Sequence, residues 1–301
     1  MSANSNSAGP TPIVSGLGEI AAAYSVIFCD VWGVIHNGRR HFGAACDALA
    51  RFRSEQKGVV ILVTNAPRPH QPVREQLDGL GVPSQTYDDI VTSGDVTLAL
   101  IAAHGSAPLH HIGPPRDHAL FTILQQQTGV NPPRVGLDAA EYVVCTGLFD
   151  DAVETPEDYD AALKVMRSRG MEFISANPDH VVHVGDKLLY CSGAIASRYE
   201  EMGGRVLQAG KPYAPIYERA AALAREHCGA GIDKARILAI GDGMRTDVKG
   251  AVNFGLDALF VTGGIHQDDV GSENRIDPAR LAAFLKSENS RPRAAVNVLR
   301  W

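Results

Sequence analysis

Long apolar runs are missing from this sequence. No stretch approaches the ~20 apolar residues that a membrane-crossing helix needs, so a helical span is not expected. Cysteine is scarce: Cys29, Cys46, Cys145, Cys191 and Cys228 are odd in number, scattered, and never paired as C-x-x-C. That pattern offers no disulfide framework and no structural zinc. It fits reduced thiols in a cytoplasmic protein. A basic excess is lacking too. Lys and Arg total 28 against 34 Asp and Glu, a net charge of −6, which argues against a nucleic-acid partner. No G-x-G-x-x-G follows a strand and no G-x-x-x-x-G-K-[ST] occurs, which removes the dinucleotide and P-loop NTPase readings.

What is present suits a sizeable α/β protein. The 301 residues are 45% hydrophobic, enough for two domains or one domain with a large insertion. Met1 to Pro12 is small and polar and reads as a disordered leader, without the basic and apolar regions of a signal peptide. Short apolar runs then recur: 25–29, 59–63, 90–91, 109–112, 142–145, 172–175, 206–207, 237–240 and 259–261. Most are continuous and β-branched, as expected of strands buried on both faces. Amphipathic stretches alternate with them. Thr155-Pro156-Glu157-Asp158 opens one, with Thr155 as N-cap, Pro156 at the first helical position and Asp158 closing a capping box. Others run over 43–57 and from Pro212, with Ile216, Ala220 and Leu223 on one side. The alternation predicts a parallel sheet covered by helices on both faces.

Four polar clusters each follow an apolar run: Asp30-Val31-Trp32-Gly33-Val34, Thr64-Asn65, Gly210-Lys211-Pro212, and Gly241-Asp242-Gly243-Met244-Arg245-Thr246-Asp247. Singly, each reads as a turn, a cap or a solvated lysine. Jointly they would converge, because ligands bind at the carboxyl ends of strands in open parallel sheets. Asp30, Asp242 and Asp247 would crowd carboxylates together, and Mg²⁺ suits such oxygen ligands. Lys211 adds positive charge. Thr64 and Asn65 would offer a hydroxyl and helix-start amides to a phosphate. Asp30 could then attack phosphorus, giving an aspartyl-phosphate that water cleaves.

This motif set resembles the haloacid dehalogenase (HAD) superfamily, specifically its class IIA branch of nitrophenylphosphatase-like and sugar-phosphatase-like hydrolases. The resemblance covers about Ser25 to Gly264 and includes Ser175-Ala176-Asn177-Pro178-Asp179, similar to a segment of that branch's cap domain. It implies a Rossmann-like core over 13–97 and 197–301, with an α/β cap of type C2 inserted at 98–196 to set substrate specificity. It implies Asp30 as nucleophile, Thr64, Asn65 and Lys211 at the phosphate, and Mg²⁺ on Asp30, the Trp32 carbonyl, Asp242 and Asp247. Asn177 and Asp179 would face the leaving group of a small phosphorylated metabolite. Caps of this branch often pair, so a homodimer is expected.

Trp32 departs from the pattern. Most relatives carry a second aspartate there, which protonates the leaving oxygen and later activates water, a contribution of ~10²–10⁴-fold. Three explanations compete: another group such as His36 substitutes, the substrate has a good leaving group, or the protein binds phosphorylated ligands and turns them over poorly. The plainer reading of His36, a surface-loop histidine, is the favoured one. Trp32 is balanced between a core filler and a wall that stacks on substrate. A dehalogenase would also lack the second aspartate, but it needs no metal and would have no use for Asp242 and Asp247. His104, His110, His111 and His118 match no metal-ligand spacing and read as ordinary loop and strand residues.

Overall fold

A computed structural model of the chain describes residues 9–184, 187–229, 231–272 and 275–301. In chain order its strands are β1 (Val26–Cys29), β2 (Val59–Thr64), β3 (Asp89–Thr92), β4 (Leu109–Ile112), β5 (Tyr142–Cys145), β6 (Glu172–Ser175), β7 (Val181–Val184), β8 (Lys187–Tyr190), β9 (Arg205–Gln208), β10 (Ile237–Gly241), β11 (Asp257–Val261), the two-residue β12 (Gly271–Ser272) and β13 (Arg275–Ile276), and β14 (Ala294–Val296). Six of them form an all-parallel sheet in the order β14-β11-β10-β1-β2-β3. A second parallel sheet has the order β4-β5-β6-β9. The fold is therefore α/β with parallel sheets.

Why these runs are central strands follows from their two faces. In β1, Ile27 and Cys29 point into one apolar layer with Leu49 and Phe52 of the helix Gly43–Glu55. Val26 and Phe28 point into the opposite layer with Ile216, Tyr217 and Ala220 of the helix Ala214–Cys228. Each fully buried Val, Ile or Phe contributes about 1.5–3 kcal/mol, which helps offset a costly polar cluster at the strand ends. The chain leaves β1 toward β2 and β3 on one side and returns through β10, β11 and β14 on the other. The strand order thus reverses between β1 and β10, the position where open α/β sheets form a crevice.

Several expectations need correction. Residues 1–8 of the proposed leader lie outside the described residues, but Pro12 is tied down, since Ala295 N donates to its carbonyl at 2.8 Å. The return to the core was expected at residue 197. However, Arg205–Gln208 pairs in parallel with Glu172–Ser175, so the second sheet continues to Gln208. The run before Gly210-Lys211 looks like a core strand because it leads into a core motif; strand pairing decides otherwise. Thr64-Asn65 does not open a helix either. The next helix spans His70–Gly79 behind Pro67 and Pro69, so these residues offer an anion no helix-terminus field. The Thr155 capping box forms as read, with Asp158 Oδ2 accepting from Thr155 N at 2.8 Å.

Candidate active site

Asp30 follows β1 and Asp242 follows β10, on adjacent strands at the switch point. The amide of Asp30 donates to Ile240 O at 2.8 Å, which fixes the two strand ends together. Gly33, at φ +80°, turns the chain back over the site, and a Cβ there would lie 2.1 Å from Asp242 Oδ2. Only glycine permits both that backbone and that approach. Asp247 sits in a π-helical turn, Met244–Val248, and its Oδ2 accepts from Gly243 N at 3.0 Å. One oxygen from each of Asp30, Asp242 and Asp247 lies within 4.8 Å of the others. Lys211 Nζ donates to Asp30 Oδ1 and to Asp247 Oδ1, both at 2.6 Å. All four side chains are buried.

The electrostatics of this cluster are unbalanced. Three carboxylates face one ammonium in a buried site. Burial first, and then Asp247, pushes Asp242 up to about 7. The same two causes raise Asp30 well above the carboxylate range. Burial alone would lower Lys211, but Asp247 and Asp30 outweigh it and raise the ammonium well above the lysine range. The lysine therefore stays charged.

Beside this cluster lies a cavity of about 370 Å³ that reaches it at Trp32, Thr64 and Asn65. Leu148, Val182, Leu189 and Tyr190 make it largely apolar, while Arg68, Arg116, Asp117 and Asp151 lie along another part of its wall. Asn65 joins the two sheets. Its Nδ2 donates to Asp179 Oδ1 at 2.9 Å, and its Oδ1 accepts from Lys211 N at 2.7 Å. Asn177 Oδ1 accepts from Asp179 N at 3.0 Å, so both residues of the Asn-Pro-Asp turn meet the cavity. A larger cavity of about 750 Å³ lies near Arg245 and Glu288. Neither cavity is lined by the clustered carboxylates themselves, but the smaller one is walled by Val31 and Trp32, next in the chain to Asp30, and by Asn65, which is hydrogen-bonded to the Lys211 backbone.

Models of known families match two segments of the chain. The haloacid dehalogenase-like hydrolase model covers residues 27–125, and a HAD-hydrolase-like model covers 208–287. The crystal structure of a haloacid dehalogenase-like hydrolase from Brucella suis 1330 is 46% identical, with a TM-score of 0.83 over 95% of this chain and 100% of that one. The chain is a haloacid dehalogenase-like hydrolase. More distant relatives include a 5'-nucleotidase of Bacillus subtilis, 24% identical over 80% of this chain and 88% of its own. The crystal structure of glycerol phosphate phosphatase from Mycobacterium tuberculosis in complex with calcium is 25% identical, with a TM-score of 0.63 over 87% of this chain and 76% of that one.

In this hydrolase the carboxylate cluster fits a divalent cation. Hard oxygen donors converge, and the one buried ammonium leaves negative charge uncompensated. Among the described residues no other group of three or more His, Cys, Asp or Glu has metal-binding geometry. The cap-region histidines are engaged otherwise: His104 with Glu172, His110 with the Val135 carbonyl, and His111 with Thr146.

One sequence expectation changes, and the balance over Trp32 is tipped. His36 is not a surface-loop residue; it is 2% exposed and its ring packs edge-on against Trp32 at 4.8 Å. Its Nδ1 accepts from Gly38 N at 2.9 Å, and burial pushes the imidazole down to about 4. It is neutral near pH 7 and makes a poor acid. Trp32 is half-buried and lines the cavity, which favours the wall over the core filler. The sequence reading missed Arg68 and Asp117 on the cavity wall, as well as the β7–β8 hairpin that carries Val182 and Leu189 into it. Two apolar runs flanking Gly185-Asp186 were the available signal for that hairpin.

Proposed function

We propose that this hydrolase is a magnesium-dependent phosphatase of small phosphorylated metabolites, with Asp30 as the nucleophile. The observation that carries the reading is the placement of Asp30. It follows the central strand directly, beside Asp242 and Asp247, held by Lys211 at 2.6 Å, next to an open cavity. Asp30, the Trp32 carbonyl and Asp242 would hold Mg²⁺, with Asp247 beside or just behind it. The calcium in the mycobacterial relative supports a divalent ion here. Bound there, the ion supplies neutralisation of the phosphoryl oxygens. The chain's own residues do the rest. Lys211 keeps Asp30 in place and offers positive charge. Thr64 Oγ1 accepts from Ala66 N at 3.2 Å, so its proton can point to a phosphoryl oxygen. Asn65 fixes the Lys211 backbone and Asp179 together. Asp30 attacks phosphorus, the leaving oxygen departs, and water then releases phosphate from Asp30.

The segment carrying the four-stranded sheet, about 98–208, serves as the cap that selects the substrate. We place the protein in the cytoplasm, with a small molecule rather than nucleic acid or membrane as its partner. Among the described residues no helix is long and apolar enough to cross a membrane. A homodimer is expected, and sedimentation that gives only a monomer contradicts it. The test of function is phosphate release from p-nitrophenyl phosphate with and without Mg²⁺, beside halide release from a haloacid. Mg²⁺-dependent phosphate release is expected, and Asp242→Asn should weaken Mg²⁺ binding at least ~10-fold by titration calorimetry. Halide release without phosphate release, or silence on both, contradicts the reading.

A further inference from the structure

A departing alkyl oxygen needs a proton, and Trp32 cannot give one. The acidic groups around the cavity can be compared by what already holds them. Lys211 is committed to Asp30 and Asp247. His36 is neutral, with Nδ1 engaged by Gly38 N. Asp151 pairs with Arg116. Asp117 is buried, and the charges that act on it are Arg116, Arg68 and Asp151 rather than the carboxylate cluster and Lys211. Asp179 differs from all of these. Its Oδ1 accepts from Asn65 Nδ2, while its Oδ2 has no hydrogen-bond partner among the described residues, and the residue lines the cavity where it meets Thr64 and Asn65.

The turn that carries Asp179 is held firmly. Ser192 Oγ donates to Asn177 O at 2.8 Å and accepts from Asn177 N at 3.1 Å. Gly210 lets Asn65 and Pro178 meet, since a Cβ there would lie 2.3 Å from Asn65 Oδ1 and 2.8 Å from Pro178 Cδ. Asn65 also accepts from the Lys211 amide at 2.7 Å, so a single side chain separates Asp179 from the residue that touches Asp30.

We infer that Asp179 is the proton donor and acceptor of this site, reaching in from the turn after β6 to do the work of the carboxylate that Trp32 displaces. The inference rests on the phosphatase reading above. As the Asp30 oxygen bonds to phosphorus, the bond from phosphorus to the leaving oxygen breaks. The electron pair stays on that oxygen, which takes the Asp179 proton. The Asp179 carboxylate then takes a proton from the attacking water as the phosphorus–Asp30 bond breaks, and the acid is restored. Burial first, opposed by Lys211 and Asn65, leaves this carboxyl at about 6, able to exchange protons near neutral pH.

The substitution that tests this is Asp179→Asn, because an asparagine oxygen can still accept from Asn65 while carrying no acidic proton. With Mg²⁺ present, kcat/KM for an alkyl phosphate such as glycerol phosphate should fall ~10²-fold or more, against ~10-fold or less for p-nitrophenyl phosphate, whose phenolate leaves without protonation. Asp179→Glu should recover part of the alkyl activity, and a thermal melt checks folding of both variants. Equal losses on the two esters would make Asp179 a positioning residue and overturn the inference. So would an unaffected alkyl rate, or a wild type active on the aryl ester but inert to alkyl esters. A wild type inert to every phosphate ester overturns the phosphatase reading itself.

Discussion

Asp30→Asn is expected to lower turnover of p-nitrophenyl phosphate by on the order of 10⁴-fold or more, while raising the melting temperature of the metal-free protein. The two effects have opposite signs for one reason. Asp30 is a buried carboxylate among carboxylates, with Asp242 and Asp247 close by and only Lys211 to balance them. Removing one negative charge relieves repulsion and desolvation, a gain of about 1–2 kcal/mol of the kind seen when a strained functional group is replaced. An amide cannot make the bond to phosphorus, so chemistry is lost. Steady-state rates and thermal melts without Mg²⁺ check both halves. Retained activity would remove Asp30 from the nucleophile's role, and a lowered melting temperature would contradict the account of crowded charge.

Lys211→Met is expected to lose both activity and stability. The ammonium touches two carboxylates at 2.6 Å inside the protein. Deleting one partner of a buried ion pair typically costs about 3–5 kcal/mol, because the remaining charge is left uncompensated. Here two carboxylates lose their partner at once, and Asp242 stands nearby. Mg²⁺ should restore part of the stability, since it supplies positive charge to the same oxygens. Turnover should fall on the order of 10²–10³-fold even at saturating Mg²⁺, as for loss of a charge-stabilising donor. Melts with and without Mg²⁺, run beside the kinetics, check this. A variant as stable as wild type in the absence of Mg²⁺ would mean that the pairs contribute little.

Much of the candidate site is legible in the sequence because its groups sit at strand ends. A buried strand reads as a continuous β-branched run, and the next polar residue marks the crevice; Asp30, Thr64 and Asp242 are located this way. Lys211 follows a strand too, but β9 belongs to the second sheet, which is why the boundary at 197 fell too early. Strand order is set by pairing between distant segments, and local pattern does not carry it. The β7–β8 hairpin leaves Leu188 and Tyr190 exposed, so it lacks the clean alternation of a half-buried strand. Burial of His36 against Trp32 depends on the Gly33 turn folding the chain back, a tertiary event that composition does not announce. The cavity wall is harder still, since Arg68, Asp117 and Leu189 come from segments that meet only in the fold.

The central claim is that phosphorus becomes bonded to Asp30. Wild-type protein with Mg²⁺ and excess p-nitrophenyl phosphate, quenched in acid during turnover, reduced with borohydride and digested, reads this directly by peptide mass spectrometry. The account predicts homoserine at position 30, the reduction product of an aspartyl-phosphate, and none at Asp242 or Asp247. Rapid turnover with an unmodified Asp30 peptide, or homoserine at another aspartate, would contradict it.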